Sequence, residues 1–135
     1  MNFDGFTSLS QLGGNLHISY NHALSSLGAF ETIQSILGSV RIKHNRSEKI
    51  EGFENLENIE GNLEFEGNGV AILGFNRLQS IGGYLSFEDN RTLEKVVGFE
   101  DIETIGEGLS FYENEELLRI EGFNSLKEIN GSFSF

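Results

Sequence analysis

Phenylalanine recurs through this chain at a nearly fixed interval. Phe6, Phe30, Phe53, Phe75, Phe99 and Phe123 are spaced 24, 23, 22, 24 and 24 residues apart, and five of the six directly follow glycine. A period of this length is the mark of a stacked repeat, in which one unit cannot bury its own apolar face and several piled together can. Asn21, Asn45, Asn68, Asn90 and Asn114 each lie 15 residues after such a Phe, so all length variation falls between the Asn and the next Phe.

Two apolar columns run inside the constant part: Leu9, Ile33, Leu56, Leu78, Ile102 and Leu126, then Leu12, Ile36, Ile59, Ile81, Ile105 and Ile129. Gly14, Gly38, Gly61, Gly83 and Gly131 follow, with Glu107 as the one departure, and a tight turn is expected there. Next come triplets with bulky outer members, such as Leu16-His17-Ile18, Leu63-Glu64-Phe65 and Leu109-Ser110-Phe111. Period-two alternation predicts short strands whose middle side chain faces solvent. Eleven of the twelve Phe fall in inward columns, leaving only Phe3.

The Asn column answers a turn problem. A buried amide can satisfy both donors and acceptors of a chain bending away from a strand, and Asn tolerates a left-handed conformation. A ladder of Asn21, Asn45, Asn68, Asn90 and Asn114 is therefore expected. Two of these residues open glycosylation sequons, Asn45-Arg46-Ser47 and Asn90-Arg91-Thr92, and Asn130-Gly131-Ser132 is a third. An inward Asn could not carry a glycan without unravelling its coil, so the first two read as by-products of the repeat.

Residues 1–135 are thus expected to form a single mainly β solenoid domain of six coils of 22–24 residues, with short parallel strands and no long helices. At about 4.8 Å per coil the stack would be on the order of 30 Å long. The unit G-F-x-x-L-x-x-I-x-G-x-L-x-F-x-x-N-x-x-L-x-x-I, covering Gly5 to Phe135, resembles the leucine-rich-repeat relatives known as receptor L domains, and the bacterial surface proteins that carry the same unit in tandem. The resemblance implies a right-handed solenoid, ligand binding or adhesion rather than catalysis, and a secreted or cell-surface location. The chain has no Cys, and the repeat runs to both ends without evident caps.

Charge narrows the partners. Nine Lys and Arg against 21 Asp and Glu give a net charge of −12, the wrong sign for the phosphate attraction behind most nucleic-acid binding. No apolar run suits membrane insertion, and the amino terminus lacks the layout of a signal peptide. Residues 1–50 hold 4 basic and 3 acidic groups, whereas residues 51–135 hold 5 and 18, a split of +1 and −13. That asymmetry, with the open strand edge at Phe133 and Phe135, predicts self-association end to end, weakened by salt where the asymmetry contributes.

The outward strand positions are the natural binding surface of a solenoid. One column reads His17, Arg41, Glu64, Ser86, Ser110 and Ser134. The next reads Ser19, Lys43, Glu66, Glu88 and Tyr112, and beside it run Tyr20, His44, Gly67, Asp89 and Glu113. Tyr20, Arg41, Lys43 and His44 would suit an anionic or sugar-like group, and Glu66, Glu88, Asp89 and Glu113 a cation. Glu66 and Glu88 share a column about 5 Å apart by strand spacing, near the separation used by retaining glycosidases. An open sheet face supplies no burial to raise a carboxyl pKa, so no enzyme activity is expected. No cofactor and no metal site is indicated. The sequence reading is a recognition or adhesion module binding a protein or glycan by this face, with end-to-end structural stacking as the alternative.

Overall fold

The computed structural model describes Phe3 and residues 5–24, 28–45, 47–69 and 71–135. Its strands form three parallel sheets of six, six and four members. The front sheet contains Leu16–Ser19, Val40–Lys43, Leu63–Glu66, Leu85–Glu88, Leu109–Tyr112 and Phe133–Ser134. These are rungs one to six, separated by about five turns of the solenoid. The side sheet contains Gln11–Leu12, Ser35–Ile36, Asn58–Ile59, Ser80–Ile81, Thr104–Ile105 and Glu128–Ile129. Lys49–Ile50, Ala71–Ile72, Lys95–Val96 and Arg119–Ile120 make the third. Among the described residues the one helical element is a 3-10 turn at Gly28–Phe30.

Register follows the sequence columns. Ile18, Ile42, Phe65, Phe87 and Phe111 are successive partners in the front sheet, as are Ile36, Ile59, Ile81, Ile105 and Ile129 in the side sheet, with Leu12 paired to Ile36. Two phenylalanine stacks fill the interior. Phe53 and Phe75 have ring centroids 5.0 Å apart, Phe75 and Phe99 5.4 Å, and Phe99 and Phe123 5.0 Å. The strand stack holds Phe65 and Phe87 at 5.2 Å and Phe87 and Phe111 at 4.8 Å. The stacks meet edge-on where Phe87 faces Phe99 at 88°. Each fully buried ring contributes about 1.5–3 kcal/mol, and each aromatic pair a further ~0.5–1.5 kcal/mol. Phe3, outside the columns, lies 5.6 Å from both Phe6 and Phe30.

The F-x-x-L/I spacing has a local cause. The N–H of Leu9, Ile33, Leu56, Leu78, Ile102 and Leu126 donates to the carbonyl of the Phe three residues earlier, closing one turn per coil. Both members of each pair then point inward.

Two turn assignments differ from the sequence reading. The left-handed backbone is not at the ladder Asn but one residue earlier, at Tyr20, His44, Gly67, Asp89 and Glu113, with φ between 48° and 61°. Nor does the Gly38, Gly61, Gly83, Gly131 column carry left-handed φ; that belongs to the glycines before Phe, Gly52, Gly74, Gly98 and Gly122. Space is the reason for the column: a Cβ on Gly38 would lie 2.6 Å from the carbonyl carbon of Gly14, and one on Gly61 2.8 Å from that of Gly38. At rung five the close approach is made by Gly106 instead, against Gly82.

The Asn column closes the front sheet. Asn21 N–H donates to Asn45 Oδ1 at 3.1 Å, Asn45 to Asn68 at 3.3 Å, Asn68 to Asn90 at 2.9 Å and Asn90 to Asn114 at 3.2 Å. Each Nδ2 beyond the first donates back to a strand carbonyl of the previous rung: Asn45 to Ile18, Asn68 to Ile42, Asn90 to Phe65 and Asn114 to Phe87. Buried backbone groups at the bend are thereby met.

Candidate functional site

Because inward and outward side chains alternate along each front strand, the outward residues stand in rows one strand spacing apart on a rigid frame. His17, Arg41, Glu64, Ser86, Ser110 and Ser134 pair in sequence, as do Ser19, Lys43, Glu66, Glu88 and Tyr112.

Over rungs one to three these residues form one polar network. Arg41 Nε lies 2.9 Å from Glu64 Oε1, and Lys43 Nζ sits between Glu64 at 3.0 Å and Glu66 at 2.8 Å. His44 Nε2 is 3.1 Å from Glu66 Oε1, Arg41 Nη1 is 3.1 Å from His17 Nε2, and the Tyr84 hydroxyl is 3.2 Å from Glu64 Oε1. Glu64 is 7% exposed. Burial opposes its charge, but the hydrogen bonds from Lys43 and Arg41 outweigh that and hold its pKa below the ordinary 4.5. For Lys43 burial pulls the other way too, and the bonds to Glu66 and Glu64 still raise its pKa above 10.5. Glu66 is lowered by its bond from Lys43 against a smaller burial effect. Burial and the Glu64 charge raise the Tyr84 phenol above its ordinary 10.0. Arg41 and Lys43 thus direct their charge at their own sheet.

A second row of side-chain to backbone bonds lies at the entrance to the strands. Asn15 Oδ1 accepts from Ser39 N–H at 2.8 Å, Ser39 Oγ from Asn62 N–H at 3.1 Å, and Asn62 Oδ1 from Tyr84 N–H at 3.2 Å. It ends at Tyr84, where Gly108 and Ser132 take over the position.

From rung four onward the face changes. Long side chains give way to Ser86, Ser110 and Ser134, and the surface sinks into an open groove of about 510 Å³. Ser86, Ser110, Ser134 and Ser132 line its floor, with Tyr84 and Glu64 at one end, Glu66 and Glu88 along one side, and Glu107 along the other. Of the residues singled out from sequence, Lys43, Glu64, Glu66 and Glu88 reach this groove. His17, Arg41 and His44 belong to the network beside it. Tyr20 stacks on His44 with centroids 4.9 Å apart, forming an aromatic edge at rungs one and two, while Ser19 lies in the front strand of rung one. Asp89 is turned toward Arg91, 2.8 Å away. Tyr112 is exposed, and a hydrogen bond with Glu113 raises its phenol pKa.

Tyr84 and Glu107 are absent from the outward columns read from sequence. Glu107 had a signal, since it alone breaks the glycine column, and the shortening of the outward column to serine foreshadows the groove. Among the described residues no three His, Asp or Glu side chains converge on a point that could hold a metal ion, and no helix is long and apolar enough to cross a membrane.

Three parallel sheets around stacked phenylalanines, an Asn-closed bend and an outward polar face define a leucine-rich-repeat-like β-solenoid. The receptor L domain family model matches residues 10–84, more than half of the 135-residue chain, and the chain belongs to that family of extracellular ligand-binding modules. No curated protein and no solved structure matches it.

Proposed function

We propose that this chain is a non-catalytic recognition module, secreted or displayed at a cell surface, that takes a protein or glycan ligand on the outward side of its front sheet. The observation that carries this reading is the groove over Ser86, Ser110 and Ser134, a concave polar surface on a rigid frame beside the Tyr20–His44 aromatic edge. Serine hydroxyls and the Glu88 and Glu107 carboxylates offer acceptors, and Tyr84 and Tyr20 offer flat apolar faces. This combination suits hydroxyl-rich sugars and extended peptides alike.

Turnover is disfavoured by the state of the carboxylates. Glu66, one of the Glu66 and Glu88 pair, is held as an anion by Lys43, which removes it as a general acid at neutral pH.

The test is binding of the chain to immobilised glycans, pectin-like and neutral, and to a panel of secreted proteins. Ser110→Trp fills the groove, and the triple variant Tyr20→Ala, Arg41→Ala, His44→Ala removes the aromatic edge and the adjoining charge. Binding that disappears in either variant while the thermal melt is retained supports the reading. Binding untouched by both, or release of shortened glycan, overturns it.

A further inference from the structure

Charge in the front-face groove is one-sided. Four carboxylates reach it, Glu64, Glu66, Glu88 and Glu107, against the single ammonium of Lys43. Lys43 stands 3.0 Å from Glu64 and 2.8 Å from Glu66, and Arg41 brings a second cation to Glu64 at 2.9 Å. Glu88 and Glu107 have no such company: among the described residues neither carboxylate meets a hydrogen-bond donor or a cation. The five basic residues of segment 51–135 are all engaged elsewhere. Arg77 lies against Asn55 and Glu57, Arg91 against Asp89 and Lys127 against Glu103, while Lys95 and Arg119 stand in the third sheet. A cleft lined by one sign of charge focuses the field within it, and the uncompensated field here is negative. Glu88 on rung four and Glu107 at the entrance to rung five each have a hydrogen-bonded rung on either side, so their setting owes nothing to the ends of the stack.

Position decides between a bound ion and a larger ligand. Glu88 closes its strand, whereas Glu107 precedes the next one, five residues before Tyr112, the strand partner of Glu88. The two carboxylates thus mark opposite margins of the groove, with the half-buried Ser86 and Ser110 between them. Acceptors spread out in this way suit several donors carried on one chain. A guanidinium offers donors only, in a planar fork that matches a carboxylate. Tyr84 supplies a further element: its hydroxyl donates to Glu64 Oε1 at 3.2 Å, which fixes the exposed ring at the groove as a flat face on which a guanidinium stacks.

We infer that the groove takes an extended, arginine-bearing segment of another protein, laid over rungs three to five with its guanidinium groups on Glu88, Glu107 and the face of Tyr84. The inference rests on the front face being the ligand surface, and it narrows what that face binds. A polyanionic glycan is repelled, and a neutral one gains nothing from the field. Arg41 and Lys43 repel the same segment at rung two and hold it to the acidic part of the sheet.

Fluorescence anisotropy with two labelled peptides tests this, one alternating Arg with Ser and the other Glu with Ser, with polygalacturonate and dextran as competitors for the protein. The Arg peptide is expected to bind and the Glu peptide not, and dextran should fail to displace the Arg peptide. Raising salt from about 0.1 to 1 M shortens the Debye length from about 10 to 3 Å and should weaken the complex. Glu88→Gln with Glu107→Gln should weaken it about tenfold. Glu100→Gln with Asp101→Asn makes an equal change of charge in the exposed turn after Phe99, outside the groove, and should leave the affinity close to the parent's. Lys43→Met frees Glu64 and Glu66 for the ligand and should tighten binding, a gain that misfolding does not imitate. Equal losses in the two double variants would reduce the effect to overall charge and overturn the inference, as would an Arg peptide that does not bind. Dextran bound in its place and released by Ser110→Trp would keep the front face as the ligand surface and overturn the cation alone. Arg-peptide binding that survives Ser110→Trp with the thermal melt retained would overturn both.

Discussion

Arg41 Nε lies 2.9 Å from Oε1 of Glu64, and this contact joins the basic second rung to the acidic third. Glu64 is the most enclosed carboxylate of the outward face, and its folded pKa lies below the ordinary 4.5. The stability it contributes is therefore complete above that value and is lost as pH falls through the folded pKa; Glu66, also lowered, acts in the same sense. Lys43 contributes fully below its ordinary 10.5 and loses its part as pH rises through a higher folded value. Urea unfolding from pH 2 to 7 should show a flatter acid slope for Glu64→Gln than for the parent. At pH 7, Arg41→Met should cost about 1.5–3 kcal/mol, the scale of one hydrogen bond to a charged group. An unchanged acid slope in Glu64→Gln would show that the network does not stabilise the fold.

Asn90 is fully buried and serves two neighbours at once, accepting from Asn68 N–H at 2.9 Å and donating to Phe65 O at 3.0 Å. Asn90→Ala leaves both backbone groups unmet in a place water does not reach. Each unmet group costs roughly 1–3 kcal/mol, so a loss of about 3 kcal/mol is expected. Asn21→Ala, at the partly open first rung, should cost less than half as much. Chemical denaturation of the two variants gives the comparison, and equal losses would mean the ladder is not carried by burial.

The glycines separate into positions where a methyl group harms and positions, Gly13 among them, where it helps. On Gly61 it would press against Gly38 and Ser39, each with an atom 2.8 Å from the new Cβ. On Gly122, with φ of 102°, it would also strain the backbone. Both substitutions to Ala should destabilise by about 1–3 kcal/mol. Gly13 has no atom within 4 Å of an added Cβ and no left-handed φ. Gly13→Ala should stabilise by about 0.4–1 kcal/mol through the unfolded chain. Thermal unfolding of the three variants reads out the opposite signs.

The repeat was legible because stacked coils force inward residues into step: the Phe column, the two Leu/Ile columns and the strand triplets all follow from one spacing. The third sheet was harder to read. Its strands, such as Lys49–Ile50 and Ala71–Ile72, fall in the segment where coil length varies, and two residues do not show a period. The left-handed positions were hidden by their identity, since Tyr20, His44, Asp89 and Glu113 share no feature that demands positive φ. The outward columns name most of the site residues without their pairings. That Lys43 bridges two carboxylates, or that Tyr84 reaches back to Glu64, depends on side-chain length across rungs, which a column does not record.

Three sequons stand in the chain, and their surroundings differ enough to predict their use. Asn45 and Asn90 are 1% and 0% exposed, with side chains committed to Ile18 and Phe65 carbonyls and to the adjacent ladder residues. A glycan on either Nδ2 would replace a donor the bend requires and would have to leave through the core. Asn130 is exposed, in the turn between Glu128–Ile129 and Phe133–Ser134, and its backbone N–H is already satisfied by Ile105 O at 3.0 Å. Its amide stands outside the ladder, so modifying it breaks none of the ladder's bonds. Expressed through an N-glycosylating secretory pathway, the folded chain should carry sugar at Asn130 alone, and Asn130→Gln should abolish the mass increment removed by an amidase. Peptide mapping that places glycan on Asn45 or Asn90 would mean that modification outruns closure of the ladder.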